Sequence, residues 1–411
     1  MERSPEKGES KMDKNNNHNE NNRNSVNPFS PQYPASPKYF ADRKEAIAYF
    51  TKTVTSSAKL RPPAPTNFII LGEWGVGKTS LLYKLKEIAL SELPRVKSFC
   101  FHLALDPTCC KSWDAFSSVL LNRLKQNYEA SAGLKEKLRS ELSKWKIVFS
   151  VPPVSIERER REEIPSLTDS LELLWKKHLE HSGVDICLLF LDDAHYFLVA
   201  DQPDAYFTLR NNFQELARRG CNFALILTGP KLLFEEIVDL AEPFARFFHP
   251  FYLESFELEG TREAVVKRIK ASKLKLRVAD DVMSAIHEKT DGHPYFVMFT
   301  MYELVNAIGA ERRISRADFE RHWPSIVETL ENSVFKGRLA KVSEKEKEVL
   351  IKISLRDELL VSPSMIKSVK GATEFFSRLE RKGLLLKKER GQYQLFHPLF
   401  KDYLKRMAKK T

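Results

Sequence analysis

Eight residues that follow a short apolar run have the types and spacing needed to hold phosphate groups. Residues 72–79, GEWGVGKT, have the form G-x-x-x-x-G-K-[ST] and come directly after Phe68–Leu71. The glycines let the backbone turn its N–H groups toward phosphate oxygens, and the positive end of the next helix adds to this cradle. Lys78 can reach the β- and γ-phosphates, and the Thr79 hydroxyl suits Mg²⁺. The predicted phosphate-binding residues are Gly72, Glu73, Trp74, Gly75, Val76, Gly77, Lys78, Thr79 and Ser80.

Two adjacent carboxylates follow a second apolar run. Ile186–Leu191 reads as a buried strand, and Asp192 and Asp193 come directly after it. Ligands of open α/β sheets bind at the carboxyl ends of the strands, so both acids would lie at the binding edge. We expect Asp192 to hold Mg²⁺ through water and Asp193 to polarise the water that attacks the γ-phosphate. The alternative is that both acids only cap the next turn.

Three further residues are candidates for the same site. Thr228 ends the apolar run Phe223–Leu227, where its hydroxyl could contact the attacking water or the γ-phosphate; an ordinary turn threonine is the alternative. Arg246 could act as an arginine finger toward a neighbouring subunit's nucleotide, which implies self-association through the nucleotide site, or it could simply be solvated. Pro294 opens a helix and could pack on an adenine, or it could be a plain helix start.

The order of the elements indicates how these residues would be positioned. Short apolar runs alternate with amphipathic helical stretches near 79–92, 112–145, 165–181 and 203–219, which favours a parallel sheet covered on both faces. Four strands are predicted, and after about residue 257 the strand signals stop and helical periodicity continues at 259–273, 278–290, 294–308 and 324–340. The predicted strands are Phe68–Leu71, Ser98–Leu105, Ile186–Leu191 and Phe223–Leu227.

Composition and length bound the classes of protein. The chain has 411 residues, a formal net charge of +11 and 42% hydrophobic residues, enough for a real core. Five cysteines without a C-x-x-C pair disfavour a disulfide scaffold or a cysteine zinc site, and no apolar run is long enough for a membrane helix. We therefore expect a soluble cytoplasmic protein. The predicted domains are a disordered Asn-rich tail (1–26), an ATPase core (27–256), a helical lid (257–340) and a C-terminal unit (341–411).

These motifs resemble those of a known superfamily. In order along residues 27–411, the leader NPFSPQYPASPKYFADRKEAI, GEWGVGKT, LLFLDDAH, LILTG, DGHPYF and the ending YQLFHPLFKDYLKR are similar to the AAA+/STAND P-loop ATPases, in particular the archaeal-type ATPases related to archaeal origin-recognition initiators. The resemblance implies a three-layer α/β core with a helical lid and a C-terminal winged helix. It also implies bound ATP, with Mg²⁺ held by Thr79 and Asp192 and a sensor role for Thr228.

Two departures from the family pattern bear on function. Many AAA+ motors have Glu where this chain has Asp193, which is one methylene shorter, so slow hydrolysis is expected. Initiators of this class carry an arginine in the lid helix that touches the γ-phosphate, but the helix after Pro294 reads YFVMFTMYELV and contains none. The first difference suits a switch rather than a motor, and the second weakens the initiator assignment and favours the STAND side of the superfamily.

The last 71 residues carry most of the positive charge. Residues 341–411 contain 18 Lys and Arg against 9 Asp and Glu, so +9 of the total +11 lies here. Helices followed by a hairpin that turns at Arg390-Gly391 predict a winged helix-turn-helix. The hypothesis is an ATP-dependent switch that binds double-stranded DNA; the alternative is a STAND-type signalling or scaffold ATPase whose winged helix binds protein. The predicted DNA contacts are Arg378, Arg381, Lys387, Lys388 and Arg390.

Overall fold

The computed structural model describes residues 27–131, 166–240, 246–272, 274–309, 312–366 and 369–409. The predicted tail at 1–26 and the end of the predicted helix 112–145 lie outside these ranges. Across the described ranges, no helix has the length and apolar character needed to cross a membrane.

A five-stranded parallel sheet forms the centre of the molecule. Its strand order is β2-β3-β4-β1-β5, and every neighbouring pair is parallel. Four strands match the predicted ones, whereas the fifth, on the outer edge beside β1, was not predicted. The strands are β1 (Asn67–Gly72), β2 (Ser98–Ala104), β3 (Ile186–Asp192), β4 (Phe223–Gly229) and β5 (Phe248–Leu253).

Helices cover both faces of this sheet. Successive side chains of a strand point to opposite faces, so Ile69 and Leu71 of β1 pack into one apolar cluster while Phe68 and Ile70 pack into another. Every residue of β1, β3 and β4 is buried, which explains why these strands read as continuous apolar runs. The helices are α1 (Lys44–Ser57), α2 (Lys78–Ser91), α3 (Trp113–Ser131), α4 (Leu167–Leu174, continued by a π-helical segment to Leu179), α5 (Tyr196–Val199), α6 (Asp204–Arg218) and α7 (Lys231–Leu240).

A helical unit follows the sheet. The sequence predicted no strands after about residue 257, but the structure has two more. Arg277–Val278 (β6) and Arg313–Ile314 (β7) pair in parallel. The helix predicted from residue 324 begins at Arg316, since Ser315 and Asp318 form a capping box there. The helices are α8 (Leu258–Ser272), α9 (Asp280–Thr290), α10 (Pro294–Ile308), α11 (Arg316–Leu330) and, after a π-helical segment, α12 (Lys336–Leu339).

The C-terminal elements combine three helices with an antiparallel hairpin. The hairpin turns at Arg390-Gly391 as predicted, and Val361 adds a single bridge to its second strand. Buried side chains of these elements and of α8–α11 belong to one continuous apolar cluster, so the core does not break at the predicted boundary near residue 340. The elements are α13 (Glu344–Ser354), α14 (Ala372–Arg381), β8 (Leu385–Glu389), β9 (Gln392–Leu395) and α15 (Pro398–Ala408).

Candidate nucleotide-binding site

The predicted phosphate loop connects β1 to α2 with a tightly constrained backbone. Gly75 and Gly77 have φ angles of +82° and +98°, in the left-handed region that favours glycine. A Cβ on Gly75 would lie 2.8 Å from Cε1 of His293, so there is no room for a side chain. The loop therefore keeps its N–H groups at the carboxyl edge of the sheet, ahead of the N-terminus of α2.

Lys78 lies folded over this loop. Its Nζ donates hydrogen bonds to the carbonyl oxygens of Gly72 and Glu73, both at 3.0 Å. Burial lowers the pKa of the Lys78 ammonium, and the negative charges of Asp193, Glu73 and Asp192 oppose that shift. The ammonium group is therefore held at the mouth of the loop, where a phosphate group would meet it.

Two predicted threonines form hydrogen bonds with the first of the two acids. Asp192 is 4% exposed and accepts hydrogen bonds on both carboxylate oxygens. The Thr79 hydroxyl donates to Oδ2 at 2.8 Å, and the Thr228 hydroxyl donates to Oδ1. A hydroxyl and a carboxylate oxygen at the end of the phosphate loop are the oxygen donors that Mg²⁺ prefers, so these residues fit that ion.

The second acid has an unusual backbone. Asp193 adopts a φ of +60°, and its N–H donates to the Thr228 hydroxyl oxygen at 2.8 Å. Burial raises the pKa of the Asp193 carboxyl, Asp192 raises it further, and Lys78 opposes the shift. Thr228 thus holds both acids, while the Asp193 side chain turns toward the phosphate loop.

A cavity of about 480 Å³ opens in front of these groups. This volume is within the roughly 300–1,000 Å³ range of small-molecule sites. Residues 74–80 and Asp193 form one wall, and Pro294, Tyr295 and Met298 of the lid form another. Pro294 thus lines the cavity, and its packing on an adenine stays a prediction.

The leader segment closes the remaining side of the cavity. Residues 30–35, residues 39–41 and Arg43 line it, and the Ala35 N–H donates to the Ser80 hydroxyl oxygen at 2.9 Å. Sequence reasoning assigned no site role to the leader or to Arg43 and Arg268, which also line the cavity. The only signal was the proline-rich, aromatic composition of the segment, which indicates an extended strap.

A cation links the phosphate loop to the C-terminal elements. The guanidinium of Arg338 lies 4.5 Å from the ring centroid of Trp74 and 4.4 Å from that of Phe396, and Nη1 donates to the Gly383 carbonyl at 3.1 Å. Burial lowers the pKa of Arg338 to about 10, opposed by the charges of Glu73 and Tyr295. The sequence held no local pattern that would single out Arg338.

The structure places the predicted arginine finger away from this cavity. Arg246 lies two residues before β5, whose first residue pairs with Asn67 at the start of β1. The phosphate loop follows the other end of β1, about 20 Å away at 3.3 Å per residue. Arg246 cannot reach the nucleotide of its own chain, and its role toward a neighbouring subunit stays a prediction.

Three of the five predicted DNA contacts lie near acids of the ATPase core. Lys387 forms an ion pair with Glu235 of α7 at 3.2 Å. Burial raises the pKa of Glu73, and Lys388 is among the cations that oppose this shift. Burial also raises the pKa of Glu236, and Arg381 opposes that shift. The other two, Arg378 and Arg390, are exposed, and Arg378 pairs with Glu374 of its own helix.

A phosphate loop, a strand that ends in two adjacent aspartates and a helical lid around one cavity define a P-loop ATPase. The family model described as an AAA domain matches residues 64–238. No curated protein sequence matches the chain. The chain is a P-loop ATPase that contains an AAA domain, and solved structures of archaeal proteins share its fold.

Solved structures agree with this fold along nearly the whole chain. A Walker-type ATPase of Pyrococcus abyssi is 17% identical, with a TM-score of 0.56 over 92% of this chain and 99% of that one. The ORC2 protein of Aeropyrum pernix, solved in ADPNP–ADP complexes, is 14% identical, with a TM-score of 0.55 over 95% and 99% of the two chains. At these identities the likeness shows the fold alone.

Proposed function

We propose that this ATPase is a slow molecular switch in which bound ATP sets the position of the lid and C-terminal elements relative to the core. The observation that carries the proposal is the arginine link from the phosphate loop to the C-terminal elements. Trp74 belongs to the loop, Phe396 follows the hairpin, and Arg338 contacts both. A change in the loop on nucleotide binding would therefore move Arg338 and, through it, the C-terminal elements.

The chemistry follows from the residues around the cavity. Lys78 and the loop N–H groups bind the phosphates, and Thr79 and Asp192 would hold Mg²⁺, which neutralises phosphate charge when bound. Asp193 orients the attacking water, and Thr228 fixes the positions of both acids. Because Asp193 is shorter than glutamate, its carboxylate reaches less far toward the γ-phosphate, which suits slow turnover.

A second link ties the lid to the loop. His293 Nε2 lies 3.0 Å from the Trp74 carbonyl oxygen, and the Tyr295 ring packs against Trp74 at 4.5 Å between centroids. Both residues come from the segment that begins α10 and also lines the cavity. Nucleotide binding would thus bias the loop, the lid and the C-terminal elements together.

We propose further that the C-terminal elements form a winged helix that binds double-stranded DNA. The support is their charge of +9 and the hairpin with Lys387, Lys388 and Arg390, which suits contacts to phosphates. In this structure Lys387 is paired with Glu235, so DNA and the core compete for the same side chain. Release of the hairpin would make DNA binding depend on the nucleotide.

The same contacts favour a second candidate function. A hairpin paired with Glu235 of α7 is also what a STAND-type ATPase would need if its C-terminal unit served as a clamp that binds protein. In that case the basic residues keep the clamp closed and do not meet nucleic acid. Self-association through the nucleotide site, with Arg246 facing a neighbouring subunit, fits either function.

Fluorescence anisotropy with a labelled 30-base-pair duplex tests the switch. We expect the wild type to bind DNA at low salt, with different affinities in ATP and in ADP. Lys78→Ala should lower ATP affinity by about 10- to 100-fold through loss of a charge-assisted phosphate contact, and its DNA affinity should not respond to nucleotide. Raising salt from roughly 50 to 200 mM should weaken DNA binding about 40-fold if three phosphates are contacted.

Charge variants supply the control for this experiment. Lys387→Gln should weaken DNA binding, whereas Lys52→Gln, the same change on an exposed lysine of α1, should not. Absence of DNA binding at low salt in every nucleotide state would overturn the DNA proposal and leave the protein-binding alternative. Absence of ATP binding by the wild type would overturn the switch itself.

A further inference from the structure

A histidine side chain, His195, lies close to the acid proposed to orient the attacking water, Asp193. Asp193 is one methylene shorter than glutamate, and its left-handed backbone, fixed by Thr228, limits how far the carboxylate can move. Two residues further on, His195 Nδ1 lies 3.8 Å from Asp193 Oδ1. That distance is too long for a direct hydrogen bond, and it suits a water that contacts both atoms.

The facing imidazole nitrogen has no partner among the described residues. His195 Nδ1 is buried and makes no hydrogen bond, although buried polar atoms in proteins are nearly always paired. The ring as a whole is still partly open, with 29% of the side chain exposed beside an Asp193 side chain that is 43% exposed. An unpaired buried nitrogen next to a cavity-lining carboxylate indicates a missing polar partner.

The position of the imidazole is fixed by the turn after the acid strand. The Tyr196 N–H donates to the Asp193 carbonyl at 3.1 Å, and the His195 carbonyl accepts from Leu198 at 3.0 Å. The imidazole also stacks on the Tyr196 ring, with 4.4 Å between centroids. Asp193 and His195 are therefore held in one rigid turn, so their separation is built into the fold.

We propose that His195 is a positioning residue for ATP hydrolysis, holding one water between its Nδ1 and the Asp193 carboxylate. This rests on the proposed function as an ATPase switch. The water oxygen bonds to the γ-phosphorus as the bond to the β–γ bridging oxygen breaks, which gives ADP and inorganic phosphate. One water proton passes to Asp193 and then to solvent. His195 thus compensates for the short acid.

The charges around the imidazole agree with this role. Burial lowers the pKa of His195, Lys78 lowers it further, and Asp192 opposes the shift. A neutral imidazole keeps a nitrogen lone pair that can accept a hydrogen bond from water. The same residue in its charged form would have no acceptor to offer.

Three variants test the role of His195. In His195→Ala we expect kcat to fall roughly tenfold, the loss of about one hydrogen bond, with the ATP dissociation constant changed by less than about twofold. His195→Asn carries an amide near the place of Nδ1 and should restore most of the rate. His181→Ala, at an exposed histidine in the loop before β3, should behave as the wild type.

Binding of a transition-state analogue gives a readout that does not depend on turnover. ADP with aluminium fluoride mimics the phosphoryl group and its attacking water, so His195→Ala should lose affinity for this complex while affinity for ADP alone is unchanged. Equal rates in His195→Ala and the wild type, equal loss in the Ala and Asn variants, or unchanged fluoride affinity would each overturn the proposal. A wild type that binds ATP without turnover contradicts the proposed function instead. In that case the affinities for ADP with aluminium fluoride still test the proposed role of His195.

Discussion

At the scale of single residues, Thr228 has the densest set of contacts with the two acids. Its hydroxyl donates to Asp192, accepts the N–H of Asp193, and is completely buried. The predicted sensor role placed Thr228 toward the γ-phosphate, but here its hydroxyl is already used by the two acids. We therefore expect Thr228 to act on a bound nucleotide through the acids that it orients.

Thr228→Val should slow ATP turnover and destabilise the fold. Valine has a similar shape but leaves a buried carboxylate oxygen and a buried N–H unpaired, which costs about 1–3 kcal/mol. Turnover and chemical denaturation would measure the two effects. Thr228→Ser keeps the hydroxyl and is the control; a Val variant as stable and active as the Ser variant would contradict this account.

The sequence predicted the residues that lie in local patterns. Lys78, Thr79 and Asp192 stand at fixed offsets from apolar runs, and the structure brings them together. Arg43, Arg268 and Arg338 were missed because each reaches the site from a different segment, with no spacing to link them. Long-range assembly of this kind is set by tertiary packing, which a linear pattern does not contain.

At the scale of elements, the start of α13 is fixed by a buried carboxylate. Glu346 is 2% exposed, accepts from the Ser343 N–H at 2.7 Å in a capping box, and also accepts from Lys382 at 2.7 Å. Burial acts to raise the pKa of Glu346, but hydrogen bonds from Lys382 and Ser343 outweigh it, so the pKa is lowered. The pair joins α13 to the end of α14.

Glu346→Gln should destabilise the protein by about 1–2 kcal/mol at pH 7, because the amide can keep the cap but loses the ionic bond to Lys382. Since folding lowers the pKa of Glu346, its contribution is complete above the ordinary value of 4.5 and is lost as pH falls through the lower folded value. The difference in stability between wild type and variant, measured by denaturation, should therefore shrink as the pH falls from 7 to about 3. Lys345→Gln, at an exposed lysine of α13, is the control.

Two kinds of element escaped sequence reasoning. The edge strand β5 was missed because Phe248–Leu253 contains Pro250 and an exposed Tyr252, so it lacks the continuous apolar character of the inner strands. The pair β6 and β7 has only two residues in each strand, too few for any periodicity. The inner strands were predicted because burial on both faces requires a continuous apolar run. The long helices were predicted because burial on one side requires apolar residues at helical spacing.

At the scale of the whole molecule, two buried histidines join its parts. His293 contacts the Trp74 carbonyl of the phosphate loop, and His397 Nε2 lies 2.8 Å from the Thr290 carbonyl, at the end of α9. Burial is the largest cause that lowers the pKa of both, to about 3 for His293 and about 4 for His397. Both imidazoles are therefore neutral in the folded protein at pH 7.

Stability should fall as the pH drops below the ordinary histidine value of 6.5. In that range the unfolded chain binds protons that the folded chain does not, so the two histidines together give a slope of up to about 2.7 kcal/mol per pH unit. Denaturation between pH 7 and 5 would measure it. His397→Gln should remove about half of the slope.

The leader segment has anchors in two different cores. Phe29 packs in the apolar cluster of the lid and C-terminal elements, whereas Phe40 packs in the cluster that α1 and α2 form on the sheet. Between these anchors, residues 30–35 and Tyr39 line the cavity. If the lid and C-terminal elements moved away from the sheet, the leader segment would have to stretch or detach from one of them. A nucleotide bound under this segment would hold the two parts together. We therefore expect separation of the lid from the core and release of the nucleotide to occur together.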